Sequence, residues 1–233
     1  ECPHKILFEA LNATKDLYGE YKVKYTKAVT RKRALALLEE GKIINIHEAP
    51  TQQTWEKQAI VIPIPLRKGL LSYRLFLIKE KDFDRFYKLS SVEELKNYKA
   101  GLGRQWSVTK VMEALNFTIE TGMNYEGLFG MLALGRFDYF PRGINEIFTE
   151  FESRHDIYPT MRIEPTKALY IPTPSYFFVS PKNKRLADRV KIGLDRIIEN
   201  GLFDKLFLQY HGQHIKRANL SKRLIFKVDN SLL

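Results

Sequence analysis

The chain has only one cysteine, Cys2, among its 233 residues, so it cannot form an internal disulfide. This count fits a reducing cytosol and a disulfide-free periplasmic protein equally well. The sequence also lacks an apolar run of the ~18 residues that a membrane-spanning helix requires. Its most apolar stretches, 69–78 and 168–180, are interrupted by Arg, Tyr or Pro. With 44% hydrophobic residues, the composition predicts a folded core and no membrane span.

Signatures of catalysis are also absent. There is no Gly-rich phosphate loop and no Gly-x-Ser-x-Gly nucleophile motif. The five histidines do not have metal-ligand spacing with partner carboxylates, and we expect His211 and His214 to lie at a surface helix end. We therefore predict a protein that is not an enzyme and that has no cofactor and no metal site.

The charge is strongly positive, with a formal net value of +11. Such a charge can indicate nucleic acid, an anionic membrane surface or an anionic ligand. The basic residues, however, are spread over the whole length, and the densest runs (31–33, 182–189 and 216–223) are not interleaved with aromatic residues as in single-strand binders. We expect a generally basic surface and no nucleic-acid partner.

One pattern occurs twice, at 35–46 and at 128–140. Each copy has a helical apolar stripe, then a glycine, then a basic residue, then an apolar strand. The glycines, Gly41 and Gly135, are predicted to end their helices, because glycine adopts the left-handed backbone at no steric cost. Two such α/β units predict two similar lobes with a cleft between them.

Helix and strand signals alternate along the chain, which predicts an α/β fold whose sheets are mostly parallel and flanked by crossover helices. The predicted helices are 4–15, 30–40, 107–115, 126–134, 144–152, 184–199 and 202–210. The predicted strands are 21–28, 43–47, 70–79, 100–103, 117–121, 137–140, 168–171, 175–180 and 223–228. The predicted lobe one is 1–79 plus 168–233, with lobe two, 80–167, inserted in it.

The order of these motifs resembles that of type II periplasmic solute-binding proteins, the family 3 extracellular proteins that include amino-acid receptors of ABC importers. The resemblance rests on 34–46, 69–78, 91–103, 135–138 and 176–201, and it covers nearly the whole chain. Segments 68–70, 140–143 and 176–179 are similar to a divergent subgroup. The family begins with a strand, whereas this chain begins at the first helix, so either the leading strand has been removed or this lobe is built short. Because Glu1 is not an initiator Met, we expect that a leader has been processed or trimmed.

The resemblance implies a monomeric periplasmic protein that captures a small solute between two lobes. The solute would be anionic or carboxylate-bearing, similar to an amino acid, and an inner-membrane ABC permease would be the partner. A ligand sensor of the same fold, signalling to a membrane partner without transport, is an alternative. A carboxylate-processing enzyme on the same scaffold is a third.

In lobe one, the amino-acid-binding relatives grip the ligand carboxylate with an Arg in a Thr-x-x-Arg turn. This chain has Thr51 there, and Trp55 falls about where that Arg would be. Simple α-amino-acid binding is therefore in doubt. Trp55 either stacks on a ligand ring or packs the lobe.

In lobe two, the strand-to-helix turn and the strand 137–140 supply further candidates. The family uses this turn to present N–H groups and hydroxyls to a negative ligand group. The candidate binding residues are Arg104, Gln105, Trp106, Ser107, Arg142, Tyr73 and Arg74. Three arginines would favour an anionic solute, and Arg142→Ala is expected to weaken its binding roughly tenfold or more, with little recovery in Arg142→Lys.

The two-lobe interpretation also predicts a hinge motion. We expect the lobes to close on a solute by rotation near Leu77 and Ile171, because hinges absorb such a change in a few backbone angles at element ends. Small-angle X-ray scattering should show a smaller radius of gyration when a true ligand saturates the protein. An unchanged radius at saturation would contradict this.

Overall fold

A computed structural model describes residues 2–230, which form two compact units. The first unit contains the chain up to Gly69 and Thr173–Gln213. The second contains Leu70–Pro172 and the segment from His214 onward. The sequence predicts boundaries between the two lobes at residues 79/80 and 167/168. The predicted hinge residues, Leu77 and Ile171, lie inside the second unit.

The helices and strands alternate along most of the chain, which confirms the predicted α/β class. The helices are α1 (Cys2–Asn12), α2 (Lys15–Tyr18), α3 (Arg31–Glu40), α4 (Gln53–Gln58), α5 (Phe83–Tyr87), α6 (Val92–Lys96), α7 (Ser107–Ala114), α8 (Tyr125–Ala133), α9 (Ile147–Arg154), α10 (Lys184–Glu199) and α11 (Leu202–Ala218). The strands are β1 (Ile46–Pro50), β2 (Ile60–Ile62), β3 (Tyr73–Lys79), β4 (Ala100–Gly103), β5 (Ile119–Gly122), β6 (Tyr139–Gly143), β7 (Met161–Ile163), β8 (Lys167–Tyr170), β9 (Ser175–Val179) and β10 (Leu224–Lys227). No helix in this part of the chain is both long and apolar enough to cross a bilayer.

The first unit is built on a three-stranded sheet with β9 in the middle. Strand β9 runs antiparallel to both β1 and β2, with Val179 opposite both Ile46 and Ile60. Helices α1 and α10 cover it, and Val190 and Leu194 of α10 are fully buried in the resulting core. The apolar stripe that predicted this helix is therefore its core-facing side.

The second unit contains a seven-stranded sheet in the order β10-β8-β3-β6-β4-β5, with β7 also paired to β3. Strand β4 is parallel to β5 and β6, whereas β3 is antiparallel to β6 and β8. The predicted lobe one includes three strands of this sheet, β3, β8 and β10. In the structure they belong to the second unit. They lie there because their backbones are hydrogen-bonded in one sheet with β6.

The helix ends follow local rules that the sequence had indicated. Thr30 caps α3 by accepting a hydrogen bond from the backbone N–H of Arg33 at 3.3 Å. The predicted helix stops have left-handed backbones, with φ of 69° at Gly41 and 73° at Gly135. One glycine lies in each unit, and each follows a helix and precedes a strand.

The strand predicted at 21–28 is wrong, because this segment is irregular in the structure. Its alternation of apolar and polar residues has another cause. Tyr21 and Val23 pack against the core of the first unit, whereas Lys22 and Lys24 are exposed. A sheet needs a neighbouring strand with free backbone groups, and alternation alone does not supply one.

The contact between α1 and α10 provides a stability test. Gly193 of α10 packs directly on the backbone of Ala10, and a methyl group at position 193 would overlap the Ala10 carbonyl. We expect Gly193→Ala to destabilise the protein by about 1–3 kcal/mol or more in urea unfolding. Gly212 of α11 has open space around it, so Gly212→Ala should be neutral or stabilising by up to about 1 kcal/mol. Equal effects of the two changes would contradict this packing.

Candidate functional site

The candidate site lies in the second unit, where β4, β5 and β6 end. Each of these strands ends at a glycine, namely Gly103, Gly122 and Gly143, and a helix follows each one. In open α/β sheets, ligands bind beyond the carboxyl ends of the strands. Most of the predicted lobe-two residues lie at these ends.

Arg142, the principal predicted residue, is on β6 and is only 6% exposed. Its Nε donates a hydrogen bond to Glu150 Oε2 at 2.7 Å, and its Nη2 lies 3.0 Å from a carboxylate oxygen of Glu146. Burial alone would lower the pKa of this guanidinium, but Glu150 and Glu146 raise it overall. Arg142 is therefore permanently charged, and protein carboxylates already engage it.

Aromatic rings enclose the same guanidinium. Its carbon lies 4.8 Å from the centre of the Trp106 ring and 4.9 Å from that of Phe140. Trp106 and Phe140 are nearly parallel, at an interplanar angle of 8°. The Trp106 ring also rests on Gly103, where any side chain would overlap it. Trp106 is thus held by the end of β4 and by a cation–π contact.

Tyr125 completes the group around Glu150. Its hydroxyl donates to Glu150 Oε1 at 2.6 Å. Partial burial, this hydrogen bond and the Glu150 charge raise the pKa of Tyr125 to about 12. The phenol therefore stays protonated at neutral pH, and Glu150 receives hydrogen bonds from both Tyr125 and Arg142.

Three polar groups converge over Gly143. A methyl group at this position would lie 2.8 Å from Asn145 Oδ1, 3.2 Å from Glu146 Oε2 and 3.5 Å from Arg74 Nη1. Asn145 Oδ1 and Arg74 Nε are buried atoms without a hydrogen-bond partner in the described part of the chain. Burial lowers the pKa of Arg74. An amide oxygen, a carboxylate and a guanidinium therefore lie close to one another beside Gly143, and the amide and the guanidinium have unused hydrogen-bonding capacity.

The remaining lobe-two candidates lie at the start of α7. Arg104 and Gln105 are exposed, and Ser107 is half-buried at the first helical position. Arg104 Nε contacts Thr121 Oγ1 at 3.4 Å, a long hydrogen bond that leaves most of its donors unassigned. Of the three predicted arginines, Arg142 is paired with Glu146 and Glu150, whereas Arg104 and Arg74 have no carboxylate at ion-pair distance among residues 2–230.

The structure places the other three predicted residues in packing roles. Trp55, in the first unit, is 3% exposed, and its ring is stacked on His47 at 5.4 Å. Of the two alternatives for Trp55, this favours packing, since a buried ring has no free face for a ligand. Thr51 is also buried and donates to Glu56, and Tyr73 packs edge-to-face on a neighbouring tyrosine.

Sequence reasoning did not identify Glu146, Glu150, Tyr125 or Asn145. A signal for the two glutamates was nevertheless present. Glu146 and Glu150 are four residues apart in a segment predicted as helix, which puts both on one face, directly after Arg142. The described residues contain no group of three or more His, Cys, Asp or Glu side chains placed to hold a metal ion.

Comparison with known proteins identifies the fold. No protein-family model and no curated protein matches the chain. Among solved structures, similar chains include an ancestral amino-acid-binding protein, a precursor of cyclohexadienyl dehydratase (16% identity, TM-score 0.56, covering 88% of this chain and 84% of that one). Another is the substrate-binding protein of an amino acid ABC transporter (18% identity, TM-score 0.53, covering 89% of this chain and 88% of that one). A third is the GluR0 ligand-binding core complexed with L-glutamate (12% identity, TM-score 0.60, covering 88% of each chain). The fold is that of type II periplasmic binding proteins, as the sequence resemblance predicted.

The Arg142–Glu150 pair provides a second stability test. Removing one partner of a buried ion pair leaves the other charge without compensation, which costs about 3–5 kcal/mol. We expect a loss of this size for Arg142→Met in urea unfolding. Lys191→Met removes an exposed pair with Asp195 and should cost less than about 1 kcal/mol. Similar losses of unfolding free energy in the two variants would show that the buried pair stabilises the fold no more than the exposed pair does.

Proposed function

We propose that this chain is a solute-binding protein that recognises a small amino-acid-like solute through the second-unit site. The observation that carries the proposal is the convergence of Asn145, Glu146 and Arg74 over Gly143, beside the held ring of Trp106. The shared fold with amino-acid-binding proteins supports it.

The acceptor groups over Gly143 suit a primary ammonium. Asn145 Oδ1 has no partner among the described residues, and Glu146 adds a carboxylate that is 40% exposed. An ammonium carries three donors and no acceptor, so it complements these two oxygens.

The carboxylate of the solute is assigned to the start of α7. Arg142 is paired with Glu146 and Glu150, and Arg74 is turned toward the same two carboxylates over Gly143, whereas the exposed Arg104 has no carboxylate partner among residues 2–230. Arg104 can hold a carboxylate with two parallel hydrogen bonds, and Ser107 adds a hydroxyl at the helix start. The apolar part of the solute is assigned to Trp106, which directly precedes α7 and is half-buried.

We further propose that, in a cell, the protein is an extracytoplasmic receptor that delivers its solute to an ABC permease. One of the similar structures is the substrate-binding protein of an amino acid ABC transporter. The alternative is a sensor that signals without transport. Solute uptake in cells with and without the protein separates the two, and recovery of unchanged solute after long incubation tests the non-enzymatic role.

Isothermal titration calorimetry against the standard amino acids tests the binding proposal. We expect at least one to bind with a micromolar Kd. Its decarboxylated amine and its deaminated acid should each bind at least about tenfold more weakly, because each lacks one charge-assisted contact. No binding by any amino acid, or full affinity for either analogue, would overturn the proposed solute class.

Glu146→Gln tests the role of the site itself. It should weaken amino-acid binding about tenfold or more, since it removes the charge facing the ammonium. Glu152→Gln is the matched control, because Glu152 lies on α9, the helix that Glu146 directly precedes, in an exposed pair with Arg217. An equal loss of affinity in both variants, or in neither, would remove Glu146 from the solute site.

A further inference from the structure

A basic segment, residues 21–33 of the first unit, is separate from the candidate site. No acidic residue occurs between Glu20 and Glu39. This interval contains six basic residues, of which Arg31 is half-buried and donates to the Pro50 carbonyl. The other five are exposed: Lys22, Lys24, Lys27, Lys32 and Arg33.

The positive charge of this segment is not neutralised locally. Just before it, Lys15 pairs with Glu20 at 3.0 Å, and Asp16 pairs with Arg196 at 2.7 Å. Within residues 2–230, by contrast, no carboxylate lies at ion-pair distance from the five exposed basic residues. The basic segment is thus a patch of uncompensated charge, unlike the surface around it.

Apolar side chains project from the same segment. Tyr21 is anchored, because its hydroxyl bonds to Asn12 at 2.8 Å and its ring packs on the first-unit core. Beyond this anchor, Tyr25 is 65% exposed and Val29 is 42% exposed. Exposed lysines and exposed apolar side chains therefore occur together along an irregular stretch. Tyr21 holds the start of this stretch on the core of the first unit.

We propose that the basic segment docks onto an anionic phospholipid surface. Lysine ammonium groups near such a surface each contribute about 1 kcal/mol of attraction. Their apolar stems and a tyrosine ring can lie at the headgroup level while the charges stay hydrated. An acidic protein face is the other source of negative charge, but protein interfaces are depleted in lysine, and four of the five exposed basic residues here are lysines. This inference does not depend on the solute-binding proposal.

Vesicle co-sedimentation of the whole chain tests the docking. We expect binding to phosphatidylcholine vesicles that contain phosphatidylglycerol, but not to phosphatidylcholine alone. Binding should be largely lost at about 1 M salt, where charges are screened within about 3 Å. Equal binding to both vesicle types, or no binding to either, would overturn the proposal. Retention on immobilised polyglutamate without vesicle binding would assign the segment to an acidic protein instead.

Matched variants localise the effect. The triple change Lys22→Gln, Lys24→Gln and Lys27→Gln should reduce vesicle partitioning about a hundredfold, from about 1 kcal/mol per lysine. Tyr25→Ser should weaken binding further at unchanged net charge. The control changes three exposed helical lysines, Lys191, Lys205 and Lys216, to Gln. An equal loss in the control would show that net charge alone drives binding and would overturn the assignment to this segment.

Discussion

The buried ion pair between Arg142 and Glu150 determines the geometry of the candidate site. Removing two charges from water costs several kcal/mol per ion, and only well-formed hydrogen bonds offset this cost. Here Arg142 donates to Glu150 through two of its nitrogens, and Tyr125 donates to the same carboxylate. Because both ends of the pair are fixed, on β6 and α9, the guanidinium has one orientation. Trp106 packs on that guanidinium, so its position depends on the pair as well.

The same pair changes which residues can recognise a solute. A guanidinium whose fork is engaged by Glu150 has little capacity left for a ligand carboxylate, so Arg142 acts mainly by holding its neighbours. In the proposed function, recognition therefore depends on the groups around Gly143. That glycine lies opposite Arg74 in the β3–β6 register, and any side chain there would occupy the space faced by Asn145 and Glu146. Its missing side chain is what allows these polar groups to approach the backbone closely at the end of a buried strand.

The sequence predicted structure well where a single residue determines the local backbone. It predicted less where the outcome depends on contacts with residues distant in the sequence. Glycine stops at Gly41 and Gly135 and the long apolar stripe of α10 were predicted correctly, because each is a local property. The strand at 21–28 was not, since a strand exists only beside another. Trp55 and Arg142 were similarly ambiguous. A buried tryptophan and a ligand-stacking one look alike in sequence, and an arginine facing a solute differs from one facing Glu150 only through tertiary contacts.

The net charge of +11 also has a clearer meaning in the structure. In the sequence it suggested an anionic ligand as readily as an anionic surface. Around the candidate site, however, the three arginines Arg74, Arg104 and Arg142 are accompanied by the two carboxylates of Glu146 and Glu150, so little of the excess charge lies there. Much of it is on side chains without carboxylate partners in the described chain, and the basic segment has five of them together. Formal charge is a sum over the whole molecule, whereas a solute and a surface each respond to charge within about a Debye length. The basic composition is therefore more relevant to the proposed docking onto an anionic surface than to the recognition of a solute.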